Sequence, residues 1–460
     1  MQRSAKQLRD DAMAIWQAGV AAVDSERLVT DQVVVDGESL IFGDETVDLN
    51  SVRKIVVVGA GKAGAGMATG LERALGDSLM AEKELSGWVN VPDDCVRSLS
   101  RIHLHGARPP GVNEPTKAGV EGTTQILRAA ANCAADDLCI CLFSGGGSAL
   151  LPAPIDGVSL TDKLEITKHL SAAGANIQEL NTVRKQLSRI KGGGLAAACN
   201  AGRLFTLIIS DVISDPLDVI ASGPTVPDTS TPQQGLLVLE KFGARQAGIS
   251  QEVFNLLAAA AGERDDPATS GPQVRNFIIG NNATAVDAAG IEAERRGYSH
   301  AMTAARSLEG RAEDVGRHLA EMALRMREES GPDCLITGGE PVVELVDASR
   351  RGKGGRNQQL VLAALDHVLD KVGLELPASE ALRGIALLAG GTDGEDGPTD
   401  AAGAMVDEII GHAMDKQQLL PAEFLNRNDA YHFFAPLQAL IKTGPTHTNV
   451  CDLRVVTIAK

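Results

Sequence analysis

The sequence predicts an α/β fold in two units, and three observations carry that reading. Short apolar, β-branched runs such as 53–58, 138–143 and 204–210 lack period-two alternation, as strands do when helices cover both faces of a parallel sheet. Several of these runs enter glycine-rich loops that open onto alanine-rich helical stretches. A length of 460 residues exceeds one ordinary core, and 44% hydrophobic but only 3% aromatic residues, with 49 glycines, suit helix-covered sheets better than a β-sandwich.

Taken in order, Ala12, Ile15, Trp16, Val20 and Val23 follow helical spacing and predict a helix over 4–24. Two short runs, 33–35 and 40–42, flank the turn dipeptide Asp36-Gly37 and predict a hairpin. Run 53–58 enters Gly59-Ala-Gly-Lys-Ala-Gly64 and a helix over 65–79. Further strands are predicted at 87–91, 138–143, 204–210, 276–280, 334–337, 384–388 and 453–458, and a helix over 359–372. Pro227, Pro232, Pro267 and Pro272 stand among Asp, Ser and Thr and mark a linker. The boundary is placed at 245–265, giving domains 1–250 and 265–460.

A net charge of −17 opposes a nucleic-acid backbone or an anionic membrane as partner, but a few local cations are enough to attract a small anion. Seven cysteines without CxxC spacing indicate neither a disulfide framework nor a zinc site, and they read as reduced core thiols. The first residues lack a basic-then-apolar secretory pattern, and no apolar run approaches about 18 residues, so a cytoplasmic protein is expected.

The loops carry the candidate chemistry. Gly59, Gly61 and Gly64 fit G-x-G-x-x-G, in which glycine lets the backbone approach a pyrophosphate. Lys62 inside that loop suits a transferring phosphate at least as well as a nicotinamide cofactor. Phe143-Ser-Gly-Gly-Gly-Ser148 follows a second buried run, and Ser144, Gly145, Gly146 and Ser148 make an anion nest. Arg184, Lys185, Arg189 and Lys191 concentrate positive charge in an acidic chain and read as a carboxylate and phosphate clamp. Asp211 and Asp215 leave the run 204–210, where a carboxylate either holds Mg²⁺, takes a hydroxyl proton or caps a helix. Farther on come Glu340 after Thr337-Gly-Gly, then Arg356 and Asn357 in Gly-Gly-Arg-Asn-Gln358. Gly391 and Thr392 precede Asp393, Glu395, Asp396 and Asp400, a loop whose carboxylates demand water, metal or protons. His447, in Thr443-Gly-Pro-Thr-His-Thr-Asn449, reads as a loop histidine rather than a base.

In order along nearly the whole chain, GAGKAG (59–64), SGGGSALLP (144–152), NTVRKQLSRIKGGGLA (181–196), SDV with DPLDVIASGPT (210–225), GGE (338–340), GGRNQ (354–358), GGTDGEDGPTDAAGA (390–404) and TGPTHTNVCDL (443–453) resemble the class II glycerate 2-kinases, whose C-terminal part is the MOFRL domain. The resemblance implies an N-terminal three-layer α/β/α Rossmann-like domain, a smaller C-terminal α/β domain, and an active site in the cleft between them. It further implies ATP-dependent phosphorylation of D-glycerate to 2-phosphoglycerate, with Mg²⁺ and a possible homodimer.

On that reading Lys62 and Arg356 serve the transferred phosphoryl group, and Asp393, with Asp211 as the alternative, activates the hydroxyl or holds metal. Asp396 is a second metal ligand, and Gly59, Gly61, Gly64, Asp211, Gly391 and Thr392 contact the nucleotide. Ser144, Gly145, Gly146, Ser148, Arg184, Lys191, Glu340 and Asn357 bind substrate. Family members often carry glycine at Ser214, threonine near Val343 and glutamate at Gln359. The rival readings are an NAD(P)H-dependent hydroxypyruvate reductase, which leaves Arg356 and the acidic loop without a role, and a non-catalytic sugar-phosphate sensor.

Overall fold

Every residue of Ile55–Ala60 and Leu138–Phe143 is buried, which a strand achieves only with partners on both edges and cover on both faces. The computed structural model, which describes residues 3–261, 271–373 and 376–460, sets both runs at the middle of a six-stranded sheet. In chain order the strands are β1 (Val33–Asp36), β2 (Ser39–Phe42), β3 (Glu45–Asp48), β4 (Ile55–Ala60), β5 (Ser86–Pro92), β6 (Ile102–Arg108), β7 (Leu138–Phe143), β8 (Arg203–Ile209), β9 (Gln273–Gly280), β10 (His300–Thr303), β11 (Cys334–Gly339), β12 (Ile385–Gly391), β13 (Gly403–Asp407), β14 (Leu440–Ile441) and β15 (Asp452–Ile458).

One compact unit is Ser25–Ile279. Its sheet runs β6-β5-β4-β7-β8-β9, with β6 to β8 all parallel to their neighbours. Numbered within the sheet this is the 3-2-1-4-5-6 order of a Rossmann fold, and the chain reverses its direction of travel between β4 and β7. Ligands of such sheets bind outside the carboxyl ends of the strands at that switch point, which here is flanked by the loops carrying Lys62 and Ser144–Ser148. Helix Lys117–Ala131 covers the face bearing Val56, Val58, Cys139 and Cys141. The small sheet β1-β2-β3 contains the expected hairpin, in register Asp36↔Ser39, with Gly37 at φ +58° in the turn.

The second unit comprises Met1–Asp24 and Gly280–Lys460. The N-terminal helix, Ala5–Ala22, therefore packs with the C-terminal half rather than inside a 1–250 domain. The reason is its apolar stripe: Leu8, Ile15 and Trp16 share a core with Val286, Ala289, Leu453 and Val455, and the Trp16 indole N–H donates to the Gly390 carbonyl at 3.3 Å. A separate helix, Ser25–Gln32, begins the other unit, so the expected single helix ends two residues short of 24. Pro267 and residues 262–265 of the expected boundary lie outside the described residues.

The sheet of this unit runs β10-β11-β15-β12-β13-β14 and is mixed. β15 is antiparallel to both β11 and β12, against the expectation of parallel strands there. All seven β15 residues are buried, so an uninterrupted apolar run reports cover on both faces and says nothing about direction.

Candidate active site

The loop after β4 is shaped by a single close approach. Gly61 has φ +153°, and a Cβ there would lie 2.0 Å from Ser144 Oγ, so no side chain fits. The two loops at the switch point are stitched together: the Lys62 amide donates to the Gly145 carbonyl at 2.9 Å and the Ala63 amide to Ser144 Oγ at 3.0 Å. Ala63 is the N-cap of helix Gly64–Glu82 and has no side chain to cap it, and the buried Ser144 hydroxyl takes that role from another loop. Ser144 is thus a staple of the backbone rather than the substrate contact expected of it. A Cβ on Gly146 would meet Arg108 Nη2 at 2.9 Å and Lys62 Cγ at 3.5 Å, which places a second cation, from the end of β6, beside Lys62.

Ser148 leads to a cluster of buried cations. Lys191 Nζ lies 2.8 Å from Ser148 Oγ and 2.9 Å from the Ser148 carbonyl, and Ser148 Oγ lies 3.1 Å from Ser222 Oγ. Lys163 donates to the Leu187 carbonyl at 2.8 Å. Among the described residues neither lysine, nor Arg184, has a carboxylate partner, whereas Lys185 next to them reaches Asp218 and Asp228 at 3.4 and 3.6 Å. Burial pushes Lys191 well below the usual lysine range, and the charges of Lys163 and Arg184 push it further. Burial and Arg184 bring Lys163 down to about 7, and burial lowers Arg184 as well. Of the four basic residues read as a clamp, Arg184 and Lys191 face this cluster, Lys185 is neutralised and Arg189 is exposed. Lys163 gave no signal in sequence, since a single lysine on helix Leu160–Ala172 resembles any solvated position.

The loop after β8 is bent to reach the same cluster. Ser214, Asp215, Ala221 and Ser222 all have φ between +50° and +66°, a left-handed conformation that costs a non-glycine residue about 1–2 kcal/mol. That conformation at Ser222 accompanies its contact with Ser148, and at Ser214 it explains why family members favour glycine. Asp211 is half-buried at the exit of β8, and no helix starts there for it to cap.

In the other unit Arg356 opens helix Arg356–Val372 and its fork is engaged: Nε and Nη2 donate to Asp452 at 2.7 and 2.9 Å, and Nη1 to Glu340 at 2.9 Å. Burial alone would lower the guanidinium, but Asp452 and Glu340 outweigh it and hold Arg356 charged. Burial raises Glu340 against the pull of Arg356, and Asp452 and Asp393 add to the rise. Asp393 is half-buried and accepts from the Glu395 amide at 3.1 Å.

Four expected ligand contacts are structural instead. Asp396 is 2% exposed and accepts from the amides of Asn357 and Gln358 at 3.0 and 2.9 Å, so it caps the Arg356 helix and is not placed as a metal ligand. Burial pushes it up to about 7 despite those amides. Asn357 is fully buried beside it. Thr392 is also buried, donating to the Cys451 carbonyl and accepting from the Val450 amide, and it ties the 391–396 loop to the one before β15. Gly391, its amide on the Ala402 carbonyl, belongs to the same scaffold. Among the described residues no three carboxylates gather into a metal cage; Mg²⁺ commonly uses one or two carboxylates together with substrate phosphates, and Asp393 with Glu340 fits that donor set.

Residues 11–258 match a domain of unknown function, DUF4147, and residues 333–452 match the MOFRL family. A glycerate kinase from Rattus norvegicus is 36% identical, aligned over 98% of this chain and 93% of its own length. The chain belongs to the class II glycerate kinase family. A D-glycerate 2-kinase from Thermotoga maritima is 33% identical over 92% of this chain and 96% of that protein. A crystal structure of glycerate kinase from Thermotoga maritima superposes with a TM-score of 0.80 at 31% identity, covering 98% of this chain and 100% of that one. This family member is accordingly a kinase, and its fold is the two-unit α/β arrangement expected of the family. Gln359, where the family often has glutamate, is buried and donates to Glu313 and the Leu425 carbonyl, while Val343 packs against the core.

Proposed function

We propose that this kinase transfers the γ-phosphoryl group of ATP to the 2-hydroxyl of D-glycerate. The observation that carries the reading is the cluster of Lys163, Arg184 and Lys191 at the switch point, two buried lysines and a half-buried arginine with no carboxylate partner among the described residues. Such a cluster is costly unless an anion completes it, and a small hydroxy acid supplies a carboxylate of the right charge. Arg184, Lys191 and Lys163 bind that carboxylate, and Ser148 with Ser222 fixes the rest of the substrate.

Phosphoryl transfer needs positioning and positive charge around the equatorial oxygens more than covalent help. In one unit Lys62, beside Arg108, offers such charge, and in the other Arg356 does. Asp452 and Glu340 hold the Arg356 fork in one orientation, so its remaining N–H groups present a fixed face. The 59–64 loop would receive the nucleotide phosphates, and Asp393 and Glu340 would hold Mg²⁺, whose chemistry there would be to neutralise phosphate charge. Asp393, or Asp211 at the end of β8, takes the hydroxyl proton.

D-glycerate-dependent release of ADP tests this directly, alongside NAD(P)H absorbance with hydroxypyruvate. We expect ADP release with no nicotinamide oxidation, and a loss of about a hundredfold or more in kcat/KM for Lys62→Ala and for Arg356→Ala. Near wild-type turnover in both variants would remove the assignment.

A further inference from the structure

Far from the loops that carry the kinase chemistry, three cysteines converge. Cys139 sits near the start of β7, at the end opposite Ser144; Cys133 follows helix Lys117–Ala131, and Cys199 closes helix Gly194–Ala198. Their sulfurs all lie within 4.8 Å of one another, and the residues are 0%, 7% and 3% exposed respectively. Around them are Ile126, Ala130, Ala201 and Leu204 of one apolar core. Among the described residues this is the sole group of three such ligands gathered so closely.

We propose that Cys133, Cys139 and Cys199 form a binding site for one trivalent thiophile of the arsenite or antimonite class. Three sulfurs within 4.8 Å of one another suit a three-coordinate centre, and charge selects what occupies it. Three thiolates leave a net charge of −2 on a monovalent ion and −1 on a divalent one, whereas a trivalent centre is neutral. No cation is among the groups acting most strongly on these sulfurs, and the charged group felt by Cys133 is a carboxylate, Asp137. An unpaired anionic complex in this apolar core is therefore disfavoured and a neutral one is not.

The condensation balances without redox. Arsenous acid, As(OH)₃, exchanges three As–O bonds for three As–S bonds, and each thiol proton leaves with a hydroxide as water; where Cys199 enters as thiolate, that hydroxide leaves as such.

The test uses the full-length reduced protein, incubated with one equivalent of arsenite below its unfolding temperature. Native mass spectrometry should show one arsenic per chain, and thiols titratable after rapid denaturation should fall from the seven of the sequence by three. Cys133→Ser and Cys199→Ser, both near-isosteric, should each weaken binding by about tenfold or more, with circular dichroism confirming the fold, while Cys334→Ser should bind as wild type. Absence of bound arsenic in the wild type, or binding as tight as wild type in both cluster variants, would overturn the site. Tighter retention of Zn²⁺ or Cu⁺ than of arsenite by the same thiols would overturn the charge argument that selects the ligand.

Discussion

Replacing Lys163 by methionine should make this protein more stable and a poorer enzyme. Lys163 is 8% exposed as a residue, and burial, with Arg184, brings its amine from 10.5 to about 7. A lysine whose folded value is depressed contributes stability above its unfolded value and loses it as pH falls toward the folded one. At pH 7 the unfolded chain holds the full proton and the native state holds about half of one, a penalty of about 4 kcal/mol. Methionine fills similar volume without charge but forfeits the hydrogen bond to the Leu187 carbonyl, worth about 1–2 kcal/mol. The net expectation is a gain of about 2–3 kcal/mol at pH 7 that shrinks as pH approaches 10. Urea unfolding at the two pH values measures it. The KM for D-glycerate should rise about 10- to 100-fold, the worth of one hydrogen bond to a charged ligand. A less stable variant with unchanged KM would refute the reasoning and leave Lys163 as a tie to helix Ile177–Gln186 and the residue that ends it.

Two other substitutions separate scaffold from chemistry. Asp396 is raised to about 7, so the stability it contributes is complete below about pH 4 and is lost as pH rises through 7; Asp396→Asn should flatten the dependence of thermal unfolding on pH over that window, by up to about 4 kcal/mol. An unchanged pH profile would contradict the assignment of Asp396 as a buried cap. Ser144→Ala should cost about 1–2 kcal/mol of stability through the lost cap on Ala63, with KM for D-glycerate within about twofold of wild type; a large KM effect at unchanged stability would restore Ser144 to the substrate.

The loops at the switch point were legible because glycine and charge stand out against buried strands: the sequence singled out Lys62, Ser148, Arg184 and Lys191 as candidates, and the structure pairs Ser148 with Lys191. Sequence could not show which polar groups face inward to hold backbone. Ser144, Thr392 and Asp396 have the composition of ligand contacts, yet each is spent on amides and carbonyls of a neighbouring loop, and the buried Asn357 side chain donates to the Asp396 carboxylate. Lys163 and Arg108 were missed for the reverse reason, since a lone cation acquires meaning only from what surrounds it. Strand direction in the C-terminal sheet was hidden because β15 is apolar on both faces in either orientation. The placement of helix Ala5–Ala22 depended on a partner surface more than 250 residues away, Val286 and Leu453 among it.

The central claim, phosphorylation of a hydroxy acid at carbon 2, is tested most directly by ³¹P NMR of the product formed from ATP, Mg²⁺ and D-glycerate. The account predicts a new phosphomonoester resonance split into a doublet by the single hydrogen on carbon 2, absent without glycerate and lost in Lys62→Ala. A triplet from a phosphate on the CH₂ carbon, or inorganic phosphate as the sole product, would contradict it.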